Sequence, residues 1–408
     1  MAFSSKQNRF ILQQLRVWAD YPLGAELPKE LAEFILGMHE GDSPFYDCRG
    51  NKDFQHNPLF WSGRILEPVI NQWIKEAGPG GPVSTASPWP QGKKFAVCLT
   101  HDVDLVSSPA WEAQARFLKS RLKVFPKEKS SLKTWLADWV RFLVCQTRGM
   151  GGKGRAGFFE PWLELEDSFG FRSTFFFFPD LATRYHWRDG IWYRHQDILT
   201  FAGRQVTVTE LMGKLAAREW EVGLHATYES FADPAELKRQ KEQLERALNL
   251  PVASVRQHGL HFDIAKTPKA QSEAGFKFDS TYGFNRIVGF RNGLAWPFYH
   301  YDLEADVPLP ILQIPLHIQD GALLRQDNLD LAPELALRRA LELIDKVEKV
   351  HGLITLLWHP NVYDNNTYPG WFWVYEEVLK YLASRDAWVA PVRDIGNWWE
   401  ARVRLASA

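Results

Sequence analysis

The sequence predicts an α/β protein, a parallel barrel of about seven strands preceded by a small, mainly helical N-terminal domain. Two observations carry this expectation. From about residue 92 onward, short β-rich runs alternate with helical stretches, the pattern of βα units around a parallel sheet. Before that point the apolar residues recur at helical spacing. The segment closes in Gly78-Pro79-Gly80-Gly81-Pro82 and Ser84-Thr85-Ala86-Ser87-Pro88, a cluster that punctuates a linker. The expected division is residues 1–91 and 92–408.

In the first part, the spacing predicts helices over Phe10 to Trp18, Leu31 to Met38 and Ile65 to Ala77. In the second part, the predicted strands are Phe95 to Thr100, Ser173 to Phe178, Val222 to His225, Val255 to Leu260, Lys277 to Thr281, Leu312 to His317 and Leu353 to Trp358. Between them lie predicted helices at Thr209 to Glu219, Pro234 to Leu248, Pro333 to Val350 and Trp373 to Ala383. Asp233 is placed to cap the second of these, and Pro234 and Pro333 stand near helix starts, where a missing N–H costs little. Residues 105–157 interrupt the rhythm and read as an insertion over the barrel mouth. Its Gly149-Met150-Gly151-Gly152-Lys153-Gly154 lacks the spacing, the Lys-Ser/Thr ending and the preceding strand of a phosphate-binding loop.

Composition narrows the function classes. The formal net charge is -1 with both signs interspersed, which argues against nucleic-acid binding through a broad basic face. Cys48, Cys98 and Cys145 form no CxxC pair, and their odd number does not suggest a disulfide framework. No apolar run reaches about 18 residues, so no membrane span is expected. Residues 1–18 lack the apolar core of a secretory signal, and a cytoplasmic location is the default expectation. The 18 tryptophans suit either sugar stacking or core packing, and core packing is the more common use.

In parallel α/β barrels the side chains available for chemistry sit at the C-terminal ends of strands. Five of the predicted strands end in such residues: His101, Asp102 and Asp104 on the first, His225 on the third, Arg256, His258 and His261 on the fourth, Asp279 on the fifth and His359 on the seventh. On an extended segment Asp102 and Asp104 point to one side, where two carboxylates repel unless a cation or proton lies between them. By itself Asp-x-Asp is more often a cap or turn. A strand-end histidine such as His225 binds metal through one ring nitrogen while the other is oriented by an acceptor, although a lone histidine is more often structural. Glu229, four residues on, is either a ligand or a solvated carboxylate. Alternation sends Arg256 and His258 to one face, the first able to brace a carboxylate, unless the segment is an exposed edge. His359 has the chemistry of a proton donor to a leaving group.

The order of these motifs resembles the polysaccharide deacetylases of carbohydrate esterase family four, the NodB homology domain, over about residues 93 to 400. The family's Thr-Phe-Asp-Asp-Gly is similar to Thr100-His101-Asp102-Val103-Asp104. Its His-Ser/Thr-x-x-His is similar to His225-Ala226-Thr227-Tyr228-Glu229, and its Arg-x-Pro to Arg256-Gln257-His258. Its last motif resembles Leu356-Leu357-Trp358-His359, and its Ala-Thr-Phe-Phe strand resembles Ser173-Thr174-Phe175-Phe176-Phe177. Three departures stand out: Asp-Val-Asp replaces Asp-Asp-Gly, Glu229 stands in place of the second histidine, and His258 in place of the proline. A bacterial branch with a small N-terminal domain would account for the first 90 or so residues.

The resemblance implies a distorted (β/α)7-type barrel and a divalent metal, zinc by expectation, held by Asp104, His225 and a third ligand. That ligand is His258 or, less simply, Glu229. It further implies Asp102 as general base oriented by Arg256, His359 as general acid, and Asp279 as a group tuning His359. The implied substrate is an N-acetylated amino sugar of a glycan. A hydrolase of another amide, such as a deformylase or a cyclic-amide opener, and a glycan-binding module without catalysis remain open at this point.

Overall fold

The computed structural model describes residues 4–15, 17, 27, 29–37, 40, 64–71, 87–107, 158–180, 189, 191, 193–365 and 367–407. The end of the predicted helix from Ile65 to Ala77, the Gly-Pro linker, nearly all of the 105–157 insertion with its glycine stretch, and Cys48 and Cys145 lie outside the described residues.

A mostly parallel sheet organises the chain. Its central strand is β1 (Phe95–Val103), whose nine residues are all buried, as its unbroken apolar run requires of a strand covered on both faces. On one flank β1 pairs with β11 (Leu353–Leu357). On the other, its first half pairs with β12 (Ala387–Val389) and its second half with β2 (Thr174–Phe177). From β2 the ladder continues through β5 (Glu221–Ala226), β6 (Ser254–Gln257) and β7 (Phe278–Asp279), all parallel. The remaining strands in chain order are the outlying hairpin β3 (Ile198–Phe201) and β4 (Arg204–Thr207), the antiparallel pair β8 (Phe298–Asp302) and β9 (Val307–Gln313), and β10 (Ile318–Gln319). β9 pairs with β7, and β10 with β11.

The predicted strand Leu312 to His317 is therefore corrected. Residues 307–313 form β9, residues 318–319 form β10, and the stretch between them is no strand. It crosses from one side of the sheet to the other: Ile314 N–H donates to Asp279 O at 2.7 Å, Leu316 N–H to Tyr282 O at 2.9 Å, and His317 N–H to Thr355 O at 3.1 Å. Its partner switches from the segment 279–282 to β11 between Leu316 and His317, so no ladder closes and the barrel stays open there. The predicted strand Val255 to Leu260 likewise shortens, because Gly259 at φ 62° turns the chain into a 3-10 helix over His258–Leu260.

The other elements follow local chemistry. The helix Pro234–Leu248 starts where Asp233 accepts the Glu236 N–H at 3.0 Å and ends at left-handed Asn249. The helix Val208–Ala217 opens on a reciprocal cap between Thr207 and Glu210. Helices Pro333–Lys349 and Trp371–Ala383 cover β11. Gly223 has no room for a side chain, since a Cβ there would meet the Phe176 ring at 2.6 Å. Buried tryptophans, among them Trp162, Trp220, Trp296, Trp358 and Trp399, serve packing.

The N-terminal helix Ser5–Leu15 buries Phe10, Ile11, Leu12 and Leu15 in the same apolar cluster as Phe298 and Tyr301 of the β8–β9 pair. Glu40 forms a buried ion pair with Arg291 at 2.9 Å. Among the described residues no helix is long and apolar enough to cross a membrane.

Candidate metal centre and active site

At the C-terminal end of β1, alternation sorts three polar side chains into two environments. His101 turns outward, with Nδ1 2.8 Å from Trp358 O, Nε2 2.8 Å from Glu166 Oε1, and its ring stacked on Phe175. Both nitrogens are thus occupied and His101 is a packing residue. Asp102 and Asp104 turn the other way, as a two-residue offset on a strand requires.

His225, at the end of β5, is buried, and its Nδ1 lies 3.1 Å from Arg256 O. That contact assigns the proton to Nδ1 and leaves Nε2 facing the carboxylates, 3.5 Å from Asp104 Oδ1 and 3.8 Å from Asp102 Oδ2. The Gly259 turn swings His258 to within 5.2 Å of the His225 ring, nearly perpendicular to it. One ligand atom from each of Asp104, His225 and His258 lies within 4.8 Å of the other two. Glu229 is exposed on the 3-10 turn Tyr228–Ala232 and is not part of that group.

Asp102 is buried and faces Arg256, Nη1 to Oδ1 at 3.4 Å. The guanidinium is itself fully buried. It lies 4.8 Å over the Phe176 ring and donates to Ser280 Oγ at 2.7 Å. His359 follows β11, with Nε2 3.8 Å from Asp104 Oδ2 and Nδ1 2.9 and 3.1 Å from the two oxygens of Asp320. The His359 backbone N–H donates to the same carboxylate at 2.8 Å.

Asp279 was expected to tune His359, but Asp320 holds that place. Asp279 accepts from Gln271 Nε2 at 3.0 Å and from the Thr281 N–H at 3.1 Å, and burial raises its pKa to about 6. Asp320 carries no strand-end signal in the sequence, because the predicted sixth strand stops at His317, three residues before β10 gives way to Asp320. His317 is structural, accepting the Thr355 N–H on Nδ1 at 3.1 Å. His261 is structural too, with Nδ1 2.9 Å from Tyr228 O and its ring stacked on Tyr228.

The electrostatics show a pocket with surplus negative charge. Burial works against a charged His225, yet Asp102 and Asp104 raise its pKa above the ordinary value. For His359 the opposition of burial is outweighed by Asp320, and its pKa rises to about 10. Burial would raise Asp104, but the neighbouring histidines hold it well below the usual carboxylate range. The carboxylates thus favour positive charge in this pocket, whether a proton on an imidazole or a cation.

The donor set suits a divalent metal: one carboxylate and two imidazoles are the N/O ligands of zinc hydrolases, and three protein ligands leave a position open. Asp104 Oδ1 is buried with no hydrogen-bond partner, an acceptor aimed into the group.

No family model matches the chain, and no curated protein matches it. Solved structures do. A structure assigned as a polysaccharide deacetylase from Mycobacterium smegmatis is similar over 77% of this chain and 93% of its own, with 20% identity and a TM-score of 0.49. One from Pseudomonas aeruginosa PAO1 is similar over 80% and 97%, with 12% identity and a TM-score of 0.48. A mutant CE4 family pseudoenzyme with restored activity covers 76% of this chain and 69% of its own at 14% identity, with a TM-score of 0.33.

Proposed function

We propose that this protein is a metal-dependent hydrolase that removes the N-acetyl group from an amino sugar of a glycan. One observation carries the reading. Three ligand-type side chains from three strand ends converge within 4.8 Å, flanked by a carboxylate braced by arginine and a histidine braced by aspartate. A structural cluster has no need of this arrangement, and amide hydrolysis uses every part of it.

Asp104, His225 and His258 would hold the ion. When bound, a divalent metal, zinc by the donor set, would supply Lewis acidity to the amide carbonyl and would lower the pKa of a water from about 15.7 towards about 7. Asp102 is placed to take the proton of the attacking water, and the buried guanidinium of Arg256 keeps it ionised and oriented. His359 gives the Nε2 proton to the departing amine, while Asp320 on Nδ1 fixes the ring and stabilises its charged form. The carbon–nitrogen bond breaks as the carbon–oxygen bond forms, yielding acetate and a free amine. In the metal-free pocket the His359 pKa of about 10 makes it a protonated donor, and a nearby cation would bring it down towards the working pH.

The test is to incubate the purified chain with N-acetylated and N-formylated amino-sugar oligomers and measure released acetate and formate, with and without chelator. Acetate release that stops on chelation and returns with zinc is expected. Formate release alone would move the assignment to another amide, and turnover unaffected by chelation would remove the metal from the mechanism.

A further inference from the structure

His258 is the ligand this sequence supplies in an unusual place, and a ligand on a 3-10 turn needs something to fix its ring. His225 has the Arg256 carbonyl on its second nitrogen. The corresponding atom of His258, Nδ1, is buried with no hydrogen bond, but a carboxylate oxygen, Asp189 Oδ1, lies 3.4 Å from it. Asp189 is itself buried and is anchored, because the same oxygen accepts the backbone N–H of Tyr228. Tyr228 is held at its other end too, its carbonyl 2.9 Å from His261 Nδ1. Three separate segments thus meet behind the His258 ring.

We infer that Asp189 is the positioning residue for His258: in the loaded centre it accepts the Nδ1–H, fixes the tautomer and presents Nε2 to the metal. The inference rests on the metal centre proposed above. A metal-bound histidine ordinarily donates its other N–H to a carboxylate or carbonyl, which orients the ring and raises its basicity; loss of that partner typically costs 10- to 100-fold in metal affinity. The short approach still needed, from 3.4 Å to hydrogen-bond distance, is within the reach of a side-chain rotation.

The experiment is a double-mutant cycle on the full chain, with zinc affinity measured by competition with a chromophoric chelator and the visible spectrum of the cobalt-loaded protein as a second readout. Asp189→Ala removes the acceptor, and Asp189→Asn, whose side-chain oxygen still accepts the Tyr228 N–H and can accept the His258 Nδ1–H, is the conservative control. Asp189→Ala is expected to weaken zinc binding about 10- to 100-fold and to shift the cobalt bands, and Asp189→Asn to recover most of that loss. In a His258→Ala background Asp189→Ala is expected to cost nothing further. Wild-type affinity in folded Asp189→Ala, or an equal loss with and without His258, would overturn the inference while leaving the metal centre standing. A wild-type chain that takes up no zinc would overturn the centre itself and the inference with it.

Discussion

Two buried carboxylate regions lie on opposite faces of the same strand. Behind β1, Glu166 is fully buried and fully paired: His101 Nε2 at 2.8 Å, Tyr375 Oη at 2.9 Å, Ser173 Oγ at 2.7 Å and Trp220 Nε1 at 2.7 Å all serve its two oxygens. In front, Asp102 and Asp104 share a pocket in which Asp104 Oδ1 has no hydrogen bond and the Arg256 contact to Asp102 is long, 3.4 Å. The first region spends its polar groups on one another, so it specifies packing. The second leaves acceptor capacity unspent and convergent, open to a ligand. Satisfaction of hydrogen-bonding capacity, more than burial or residue type, separates structure from site on this strand.

The sharpest way to break the comparison is Asp104→Ala. Zinc uptake should disappear and acetate release should fall by about 10^4-fold, while the metal-free chain loses only the modest stability that the neighbouring histidines lend an ionised Asp104. Metal content and turnover measured on one preparation decide this, and a large drop in metal-free stability would put Asp104 in the structural class. Asp102→Asn should retain zinc and lose about 10^3-fold in kcat, as removal of a general base does; wild-type turnover would end its assignment as the base.

Glu166→Ala should behave in the opposite sense. Four buried donors lose their acceptor, and denaturant unfolding should show a loss of about 3 kcal/mol, with zinc affinity of the folded protein close to wild type. A variant that unfolds normally and fails to bind zinc would place Glu166 with the site and not with the packing.

The smallest expected effect is a pH slope. In the metal-free protein His225 and His359 both titrate above their unfolded value of about 6.5, so their contribution is complete below that pH. It is lost as pH rises through the raised His225 value and on to about 10 for His359. Thermal midpoints of chelated protein should therefore decline with rising pH. Zinc affinity should move the other way, strengthening as His225 gives up its proton. A flat profile in chelated protein would mean that the pocket carries no surplus charge.

Much of this was legible in the sequence, for reasons that can be named. The run Phe95 to Leu99 could only be a strand buried on both faces, and its period of two places Asp102 with Asp104 and His101 against them. Caps and prolines located the helix starts at Pro234 and Pro333 closely, because those signals are local. Strand-end position picked out Asp102, Asp104, His225, Arg256, His258 and His359, all of which the fold gathers. Asp279 was picked out by the same rule yet serves Thr281 and Gln271, since position along a strand does not say which neighbour a side chain meets.

What the sequence by itself determined is therefore the run of parallel strands β1, β2, β5, β6, β7 and β11 and the face that β1 gives its polar residues, both set by periodicities of a few residues, while β3, β4, β8, β10 and β12 carried no signal strong enough to be read. Only the tertiary structure decided three further matters: that residues 314–317 cross the gap in the sheet, that Asp320 and not Asp279 meets His359, and that His258 and not Glu229 lies beside Asp104 and His225, with Asp189 behind it. The reason is physical. Each depends on chain segments far apart in sequence arriving at one place, and distance across a fold is fixed by packing, which leaves no local periodicity to read.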